Sequence, residues 1–228
     1  MWAIIKKEVK SYFLSPVGYV FIGSFLLMSS FFFYMYTYTS GSVEYSSLFY
    51  YTTELLTFTI ALLTMGAFAA ERKNGTETLL LTSPRSITSI VLGKFLAALV
   101  VIIITEVFSL MYYAILCYFA GGITGVSESI STLIGFILIA MSYIAFGLFI
   151  SSLTENQIIA GVATIVVLTI SWFLPNLSES LYILSPINLF QKYPEGIIAA
   201  RESITLITLT IMFLLLTIVV MQRRKNLK

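Results

Sequence analysis

The sequence predicts an all-α membrane protein, a bundle of six transmembrane helices that forms a single domain over residues 1–228. Hydrophobic residues make up 58% of the chain and charged residues only 11%, whereas soluble domains carry about 25% charged residues. The hydrophobic residues are gathered into six runs, each close to the roughly 20 residues that a helix needs to cross the hydrocarbon core. The basic residues are concentrated in alternate connecting segments, as in membrane proteins with a fixed orientation.

The first 15 residues, MWAIIKKEVKSYFLS, predict a short amphipathic helix before the first span. Its apolar and basic residues separate onto two faces at helical spacing. A basic helix with an aromatic anchor lies along the lipid headgroups rather than across the membrane, so we expect an interfacial helix. The alternative is a plain charged tail. The apolar face would carry Trp2, Ile5, Val9, Tyr12 and Phe13, and the basic face Lys6, Lys7 and Lys10.

The six predicted spans are separated by segments of unequal length and character. The longest is an outer segment at about 175–203, which mixes apolar residues with Ser, Pro and charged residues. Irregular backbone at membrane depth must be covered by protein or water, so we expect this re-entrant segment to dip into the interface as short helices. The spans are predicted at about 17–38, 51–70, 95–118, 131–153, 157–174 and 204–221, with a loop at 71–94.

The distribution of Lys and Arg predicts that both termini are cytoplasmic. With the N-terminus inside, eleven of the thirteen basic residues lie in inner segments, and only Lys192 and Arg201 lie in outer ones. Such an excess of basic residues marks the cytoplasmic side of membrane proteins. The loop at 71–94 is then cytoplasmic, between the second and third spans.

The composition excludes several classes of enzyme. The chain contains no His and no Asp, and its one cysteine, Cys117, lies in an apolar run. Catalytic triads and metal sites that depend on His therefore cannot form. No Gly-rich phosphate loop followed by Lys and Ser or Thr is present. We expect no catalytic residues, no metal site and no nucleic-acid partner, and we expect any energy for transport to come from another protein.

The loop at 71–94, ERKNGTETLLLTSPRSITSIVLGK, has the pattern of a short helix between two turns. Asn74–Gly75 ends the preceding helix, Thr76 can cap a new one, and Glu77 suits the positive end of its dipole. Three consecutive leucines follow before Ser83–Pro84 ends the helix. Because consecutive positions point about 100° apart, the leucines cannot all face lipid, and we expect at least one to contact a partner protein. The alternative is an amphipathic linker lying on the lipid.

The same loop resembles the cytoplasmic loop of ABC-2 type ABC transporter permeases. That family typically has an acidic and basic start, Gly-Thr, a run of leucines, a small residue and Pro, and then Leu-Gly-Lys at the start of the third span. The matching residues here are Glu71–Pro84, followed by Val91–Ala97. The resemblance extends over essentially the whole chain, through its length, its six spans and its predicted orientation.

The resemblance implies the permease subunit of an ATP-driven transporter, and an exporter in the cytoplasmic (inner) membrane of a bacterium. Two such chains, as a homodimer or a heterodimer with a similar chain, would pair in the membrane. Two separate ABC ATP-binding subunits, with ATP and Mg²⁺, would bind below. The short helix would be the coupling helix seated in a cleft of the ATPase, and the interfacial helix with Trp2, Lys6, Lys7 and Lys10 a second contact. The residues implied in coupling are Glu71, Arg72, Gly75, Thr76, Glu77, Leu79, Leu80, Leu81 and Pro84.

A second resemblance lies just before the last span. It is to the gliding-motility and nitrous-oxide-maturation branch of the same permeases. The chain departs from that branch at Leu189 and Glu202, where His and Asp are often found. The matching residues of the outer segment and its end are Leu184-Ser185-Pro186, Phe190, Gly196-Ile197-Ile198 and Arg201.

Glu106 lies in the middle of the third predicted span, in VVIIITEVFSLMYY. A carboxylate at this depth costs about 2.5–3.5 kcal/mol on insertion scales, and such residues usually face the bundle interior. Two explanations stay open: a pathway or gating residue, and a neutral carboxyl hydrogen-bonded to a neighbouring helix. The aromatic run that includes Phe32 and Tyr36 is interpreted first as an interfacial belt, and alternatively as the lining of an apolar exit path.

Small outer loops and an apolar interior favour an amphipathic, peptidic or lipidic cargo. Two other functions also fit the composition. One is a proton- or ion-coupled secondary transporter or channel that uses Glu106, and the other is a membrane scaffold that moves no cargo. Inverted repeats or paired broken helices would favour the secondary transporter, and the sequence shows neither.

Overall fold

The computed structural model is helical throughout its regular elements, as predicted, over the residues it describes. It describes the backbone of residues 2–40, 45–82, 85–123 and 125–227, and the side chains of these except 36–40, 45–47, 49, 80, 81 and 227. Within these ranges six helices are long and apolar enough to cross a membrane. The six-span fold predicted from the apolar runs is therefore confirmed.

The chain begins with α1 (Trp2–Leu14), which leads directly into the first span, α2 (Pro16–Ser40). Proline suits the first position of a helix because its fixed φ is already helical and its missing N–H has no partner there. One face of α1 is half-buried against the bundle, whereas Trp2 is exposed. The predicted amphipathic helix is present, but Trp2 does not share the face that contacts the protein.

The second span is broken near one end. Its main part, α3 (Tyr45–Thr64), ends in a turn at 65–68, and the chain continues as α4 (Ala69–Lys73) and then α5 (Glu77–Thr82). The sequence predicted one uninterrupted span to residue 70, so the break is a correction. We call the end of the bundle that contains α5 the α5 end, and the opposite end the far end.

The third span, α6 (Ile87–Ala120), has 34 residues and begins eight residues before the predicted start at 95. The side chain of Ser86 accepts a hydrogen bond from the backbone N–H of Ser89 and so caps the helix, as serine does at helix N-termini. Lys94, which the sequence placed in the loop, therefore lies inside a helix.

The fourth span, α7 (Val126–Leu153), is the centre of the bundle and packs against α3, α6, α10 and the fifth span, α8 (Gln157–Leu177). Its side chains Phe136, Ile139 and Tyr143 are fully buried. Pro175 lies in the last turns of α8. The outer segment therefore starts at Ser178 rather than at Pro175 as predicted.

The outer segment forms short helices, as predicted: a 3-10 helix (Glu179–Leu184) and α9 (Pro186–Phe190). The last span, α10 (Ala200–Leu227), follows. Helix α9 packs against α7, α8 and α10 and buries nearly all of its side chains. Helix α9 is thus covered by protein, as backbone at membrane depth requires, whereas the 3-10 helix buries none of its residues.

Candidate functional site

The candidate site is the segment that leaves the second span and forms α5. We call it the α4–α5 segment (residues 69–82). Ion pairs join it to three other parts of the bundle. The first pair is at the start of the segment, where the Lys94 ammonium lies 2.8 Å from Glu71 and 3.1 Å from Glu8. Glu71 belongs to α4, Lys94 to α6 and Glu8 to α1, so a single lysine connects three helices.

Lys94 is only 3% exposed, and burying an ammonium requires paired acceptors. Two carboxylates supply them, and the ring of Phe68 lies 5.4 Å from the nitrogen as a further cation-binding surface. One oxygen of Glu71, Oε2, is buried with no hydrogen-bond partner among the described residues. Removing the lysine would therefore leave the partly buried Glu71 without an ion-pair partner among the described residues, and Glu8 with only the exposed Lys7, 3.5 Å away.

Two more ion pairs hold the rest of the segment. Arg72 of α4 lies 2.8 Å from Glu155, in the turn between α7 and α8. Glu77, in the first turn of α5, accepts a hydrogen bond from Arg224 near the end of α10 at 3.2 Å. Both members of this second pair are largely buried. The α4–α5 segment is thus connected electrostatically to α6, to the α7–α8 turn and to α10.

One side chain of α7 forms hydrogen bonds with the backbone at the break between α3 and α4. The Ser151 hydroxyl accepts hydrogen bonds from the backbone N–H groups of Phe68 and Ala69, at 3.1 and 3.2 Å, and donates to the carbonyl of Met65 at 2.9 Å. A broken helix leaves such groups without intrahelical partners, and in a membrane each must be satisfied. Ser151 therefore supplies the hydrogen-bond partners that these backbone groups lack within the interrupted helix.

Helix α1 contacts the same break from the other side. The Tyr12 hydroxyl donates to the carbonyl of Leu63 at 3.2 Å. Burial and the negative charge of Glu8 raise the pKa of Tyr12, so the phenol stays protonated and remains a donor. At the other end of α1, Ile4 lies so close to Gly93 that a Cβ there would come within 2.6 Å of it. Glycine is required at this position for α1 to lie against α6.

A cavity of about 250 Å³ lies between α1, the break and the start of α8. It is lined by both carboxylates of the Lys94 cluster, by Tyr12 and by Gln157 at the start of α8.

One side of α5 is exposed. Leu79 is 72% exposed, so one leucine of the predicted run faces away from the protein. The side chains of Leu80 and Leu81, and all of Pro84, lie outside the described residues. Gly75 has φ +72°, a conformation that favours glycine and that turns the chain from α4 into α5.

The Thr76 hydroxyl, which the sequence predicted could cap α5, donates to the carbonyl of Glu71 at 3.1 Å. It therefore ties the turn back to α4. Glu77 does lie in the first turn of α5, as predicted, but it also forms the ion pair with Arg224 that the sequence did not suggest.

The basic residues of α1 are exposed. Lys6, Lys7 and Lys10 all face away from the bundle, as does Trp2. Among the charged residues of α1, Glu8 differs because it points inward to Lys94. The helix thus presents positive charge outward and contributes a carboxylate to the buried cluster.

Glu106 lies on the buried face of α6, one turn from Ile102 and just before Ser109. It is 6% exposed, and neither carboxyl oxygen has a hydrogen-bond partner among the described residues. The inward position matches the prediction, but no described side chain supports the explanation by an interhelical hydrogen bond. A buried polar group without a partner costs about 1–3 kcal/mol.

The remaining predicted residues lie toward the far end, away from α5. Phe32 is half-buried and stacks against Tyr51 of α3, with ring centroids 5.6 Å apart. The side chain of Tyr36 lies outside the described residues. Pro186 and Phe190 are core residues of α9, whereas Arg201 is exposed at the start of α10. They are not brought together with the α4–α5 segment.

Sequence reasoning missed five residues of the site: Glu8, Ser151, Glu155 and Arg224 altogether, and Lys94 as a buried cation. Glu8 is the single acidic residue in an otherwise basic helix, which was the one available signal for an inward carboxylate. Ser151 lies among many small hydroxyl residues, and nothing in its local sequence distinguishes it. Arg224 belongs to a basic cluster that membrane-protein orientation already explains.

Comparison with known families identifies the chain at a coarse level. No curated protein matches it. Residues 2–224 match the family described as ABC-2 family transporter protein. That family consists of membrane components of ABC transporters, which associate with an ABC ATP-binding subunit and are not themselves normally catalytic. Since the match covers nearly the whole length, this chain belongs to the ABC-2 family of transporter proteins.

Proposed function

We propose that this chain is the permease subunit of an exporter and that α5 is its coupling helix. The observation that carries the proposal is the position of Leu79. It is exposed on a short helix whose segment is joined by ion pairs to α6, the α7–α8 turn and α10. An apolar side chain on a small exposed helix is what a groove in a partner protein binds.

The ion pairs explain how the movement of a docked ATPase reaches the membrane. When the ATP-binding subunits close, a force on α5 acts on α10 through Glu77 and Arg224. The same force acts on α6 through Glu71 and Lys94. ATP binding then shifts the population between two arrangements of the spans because the ATPase binds one of them better.

The assembly in this proposal contains two permease chains, identical or similar, and two ATPase subunits that hold ATP and Mg²⁺. Helix α1, with Trp2 and its outward lysines, forms a second contact with the ATPase. The membrane is the cytoplasmic (inner) membrane of a bacterium, and the cargo is amphipathic, peptidic or lipidic. The pattern before the last span supports the gliding-motility and nitrous-oxide-maturation branch.

Co-purification tests the proposal. The chain is expressed with the ATP-binding subunit encoded beside it, extracted gently, and assayed for a stoichiometric complex that hydrolyses ATP. We expect Leu79→Asp and Leu80→Asp to abolish the complex while the chain remains in the membrane. Asn74→Asp is the matched control, because it adds the same charge at an exposed position of the preceding turn without removing apolar surface. A chain that purifies alone, or a complex that tolerates both leucine substitutions, would refute docking through α5.

A second candidate function is favoured by one observation, the unpartnered carboxyl of Glu106. Intramembrane carboxyls of this kind serve as proton or ion sites in secondary transporters. The two functions differ in their energy source. Flux in proteoliposomes that follows a pH or ion gradient with no ATPase present would support the second candidate, and flux that requires the ATPase and ATP would exclude it.

A further inference from the structure

The outward side of α1 carries a row of two lysines between two aromatic residues. Trp2, Lys6, Lys10 and Phe13 follow one another at intervals of three or four residues, which places them along one side of a helix. We call this row the Lys6 face. Lys7 is the next residue along the chain and therefore points about 100° away from Lys6.

The two lysines of the Lys6 face have no partner within the described part of the chain. Both are exposed, and neither takes part in an ion pair or a hydrogen bond there. The one carboxylate of α1, Glu8, is turned toward Lys94 and is otherwise paired only with Lys7. Of the helices that pack against α1, α2 has no charged residue and the charged residues of α6 are buried. The positive charge of the Lys6 face is therefore not neutralised by the protein.

Contacts along the length of α1 fix the direction in which the Lys6 face points. Ile4 packs on Gly93, and the Tyr12 hydroxyl donates to the carbonyl of Leu63 at 3.2 Å. At the bend into α2, a Cβ on Gly18 would lie 2.7 Å from the carbonyl oxygen of Tyr12. Helix α1 cannot turn the Lys6 face inward without breaking these contacts.

The Lys6 face borders the bilayer. At one end of it, Phe13 packs edge-on against Tyr19 in the first turn of α2, with ring centroids 5.9 Å apart. Tyr19 is 62% exposed on a helix that is long and apolar enough to span a membrane. At the other end of the face, Trp2 is 77% exposed. Exposed Trp and Tyr residues at the end of a span are typical of the headgroup region.

These features select the kind of partner. Lysines that the protein does not neutralise require negative charge, and exposed aromatic rings at the membrane boundary require a partner that is apolar on one side and polar on the other. A phospholipid with a net negative headgroup supplies both in one molecule. An acidic protein surface would satisfy the lysines, but not the rings that continue from Phe13 onto the lipid-facing side of α2.

We propose that the Lys6 face binds a phospholipid with a net negative headgroup, in the leaflet at the α5 end. The Lys6 ammonium pairs with the phosphate, Lys10 adds to the positive potential, and the rings of Trp2 and Tyr19 lie beside the upper part of the acyl chains. Lys7 remains within reach of the ATPase contact proposed for α1. Because this binding needs neither the ATPase nor ATP, its failure would leave the coupling role of α5 untouched.

Quenching of Trp2 fluorescence tests the proposal. The full chain is expressed without an ATPase and with Trp172→Phe, so that Trp2 is its one tryptophan. This substitution keeps an aromatic ring against Phe58, and the Trp172 indole N–H has no hydrogen-bond partner among the described residues. The chain is placed in phosphatidylcholine vesicles that contain equal fractions of either phosphatidylglycerol or phosphatidylcholine brominated in the acyl chains. Bromine quenches only nearby tryptophans, so stronger quenching by the brominated phosphatidylglycerol measures the enrichment of anionic lipid at α1.

Lys6→Gln is the test variant and Lys7→Gln its matched control, since each removes one positive charge from an exposed position of α1. One basic residue near an anionic membrane surface is worth about fivefold in affinity. Lys6→Gln should therefore lower the preference for phosphatidylglycerol by about this factor, whereas Lys7→Gln should retain most of the preference and Lys6→Arg all of it. Added salt should weaken the preference of the unsubstituted chain, because exposed charges are screened.

Three results would overturn the proposal. Equal quenching by the two brominated lipids would mean that α1 does not select a negative headgroup. Weak quenching by both would mean that Trp2 lies away from the bilayer, as expected if the ATPase alone covers the Lys6 face. An equal loss of preference with Lys6→Gln and Lys7→Gln would mean that the net charge of α1 attracts anionic lipid without a site at Lys6.

Discussion

Glu77 and Arg224 are 147 residues apart in the sequence, and in the structure the Arg224 guanidinium donates to the Glu77 carboxylate at 3.2 Å. The contact joins the first turn of α5 to the end of the last span. Both side chains are largely removed from solvent, so the pair is less screened by salt than a surface ion pair would be. It is a direct mechanical connection between the proposed coupling helix and α10.

The first prediction concerns this pair. Arg224→Glu should destabilise the folded protein by about 1–3 kcal/mol, because it leaves a largely buried carboxylate facing another. It should also reduce ATP turnover in the complex. The exchanged variant Glu77→Arg with Arg224→Glu should recover most of both properties. Arg223→Glu, which changes an exposed neighbour, is the control, and an equal effect of both single substitutions would disprove a specific pair.

Lys94→Met should destabilise the protein by about 3 kcal/mol, the lower end of the range for breaking a buried ion pair. Thermal unfolding in detergent measures the change. Lys73→Met removes the same charge from an exposed position of α4 and should have little effect. Addition of Glu71→Gln to Lys94→Met should restore part of the stability, because one unpaired carboxylate is then gone. No recovery would mean that Lys94 acts through packing rather than charge.

Ser151→Ala should lower the free energy of unfolding by about 1–3 kcal/mol, since it leaves backbone groups at the break without partners. Hydrogen exchange should also become faster at Phe68 and Ala69. Ser152→Ala is the matched control, because its equally buried hydroxyl bonds only to Phe149 of its own helix. Equal exchange at the break in both variants would show that Ser151 does not hold it.

Glu106→Leu should stabilise the fold by about 1–3 kcal/mol, because it removes a buried polar group that has no described partner. Glu106→Gln should fold normally, since no ion pair is lost. If Glu106 is retained for function, both variants should show reduced transport or transport-coupled ATP turnover at a normal yield of folded protein. Thr105→Val, whose hydroxyl bonds only within α6, is the control. Full activity of both Glu106 variants would assign the residue no functional role.

Cysteine labelling tests the orientation of the bundle. In a Cys117→Ala background, a cysteine at Ser127 should react with an impermeant maleimide added outside intact cells. A cysteine at Ser86 should react only after the membrane is opened, because it lies at the α5 end, beside the predicted cytoplasmic surface. The reverse pattern would invert the topology predicted from the basic residues.

The sequence by itself determined the elements of this protein. Six apolar runs of about 20 residues are long enough to cross a membrane as helices, and a helix satisfies its backbone hydrogen bonds within its own segment. The separation of charges on α1 and the glycine turn before α5 are equally local, so both short helices could be predicted. The inward position of Glu106 also followed from the cost of exposing a carboxyl to lipid.

Only the tertiary structure decided how these elements are connected at the site. The break at 65–68 depends on Ser151, more than 80 residues away, and an apolar run gives no sign of it. The charges of Glu8, Glu71 and Lys94 are readable in the sequence, but their pairing is set by how closely α1 packs on α6 at Gly93. Hydropathy and periodicity are properties of neighbours along the chain, whereas hydrogen bonds and ion pairs between spans depend on which helix faces meet.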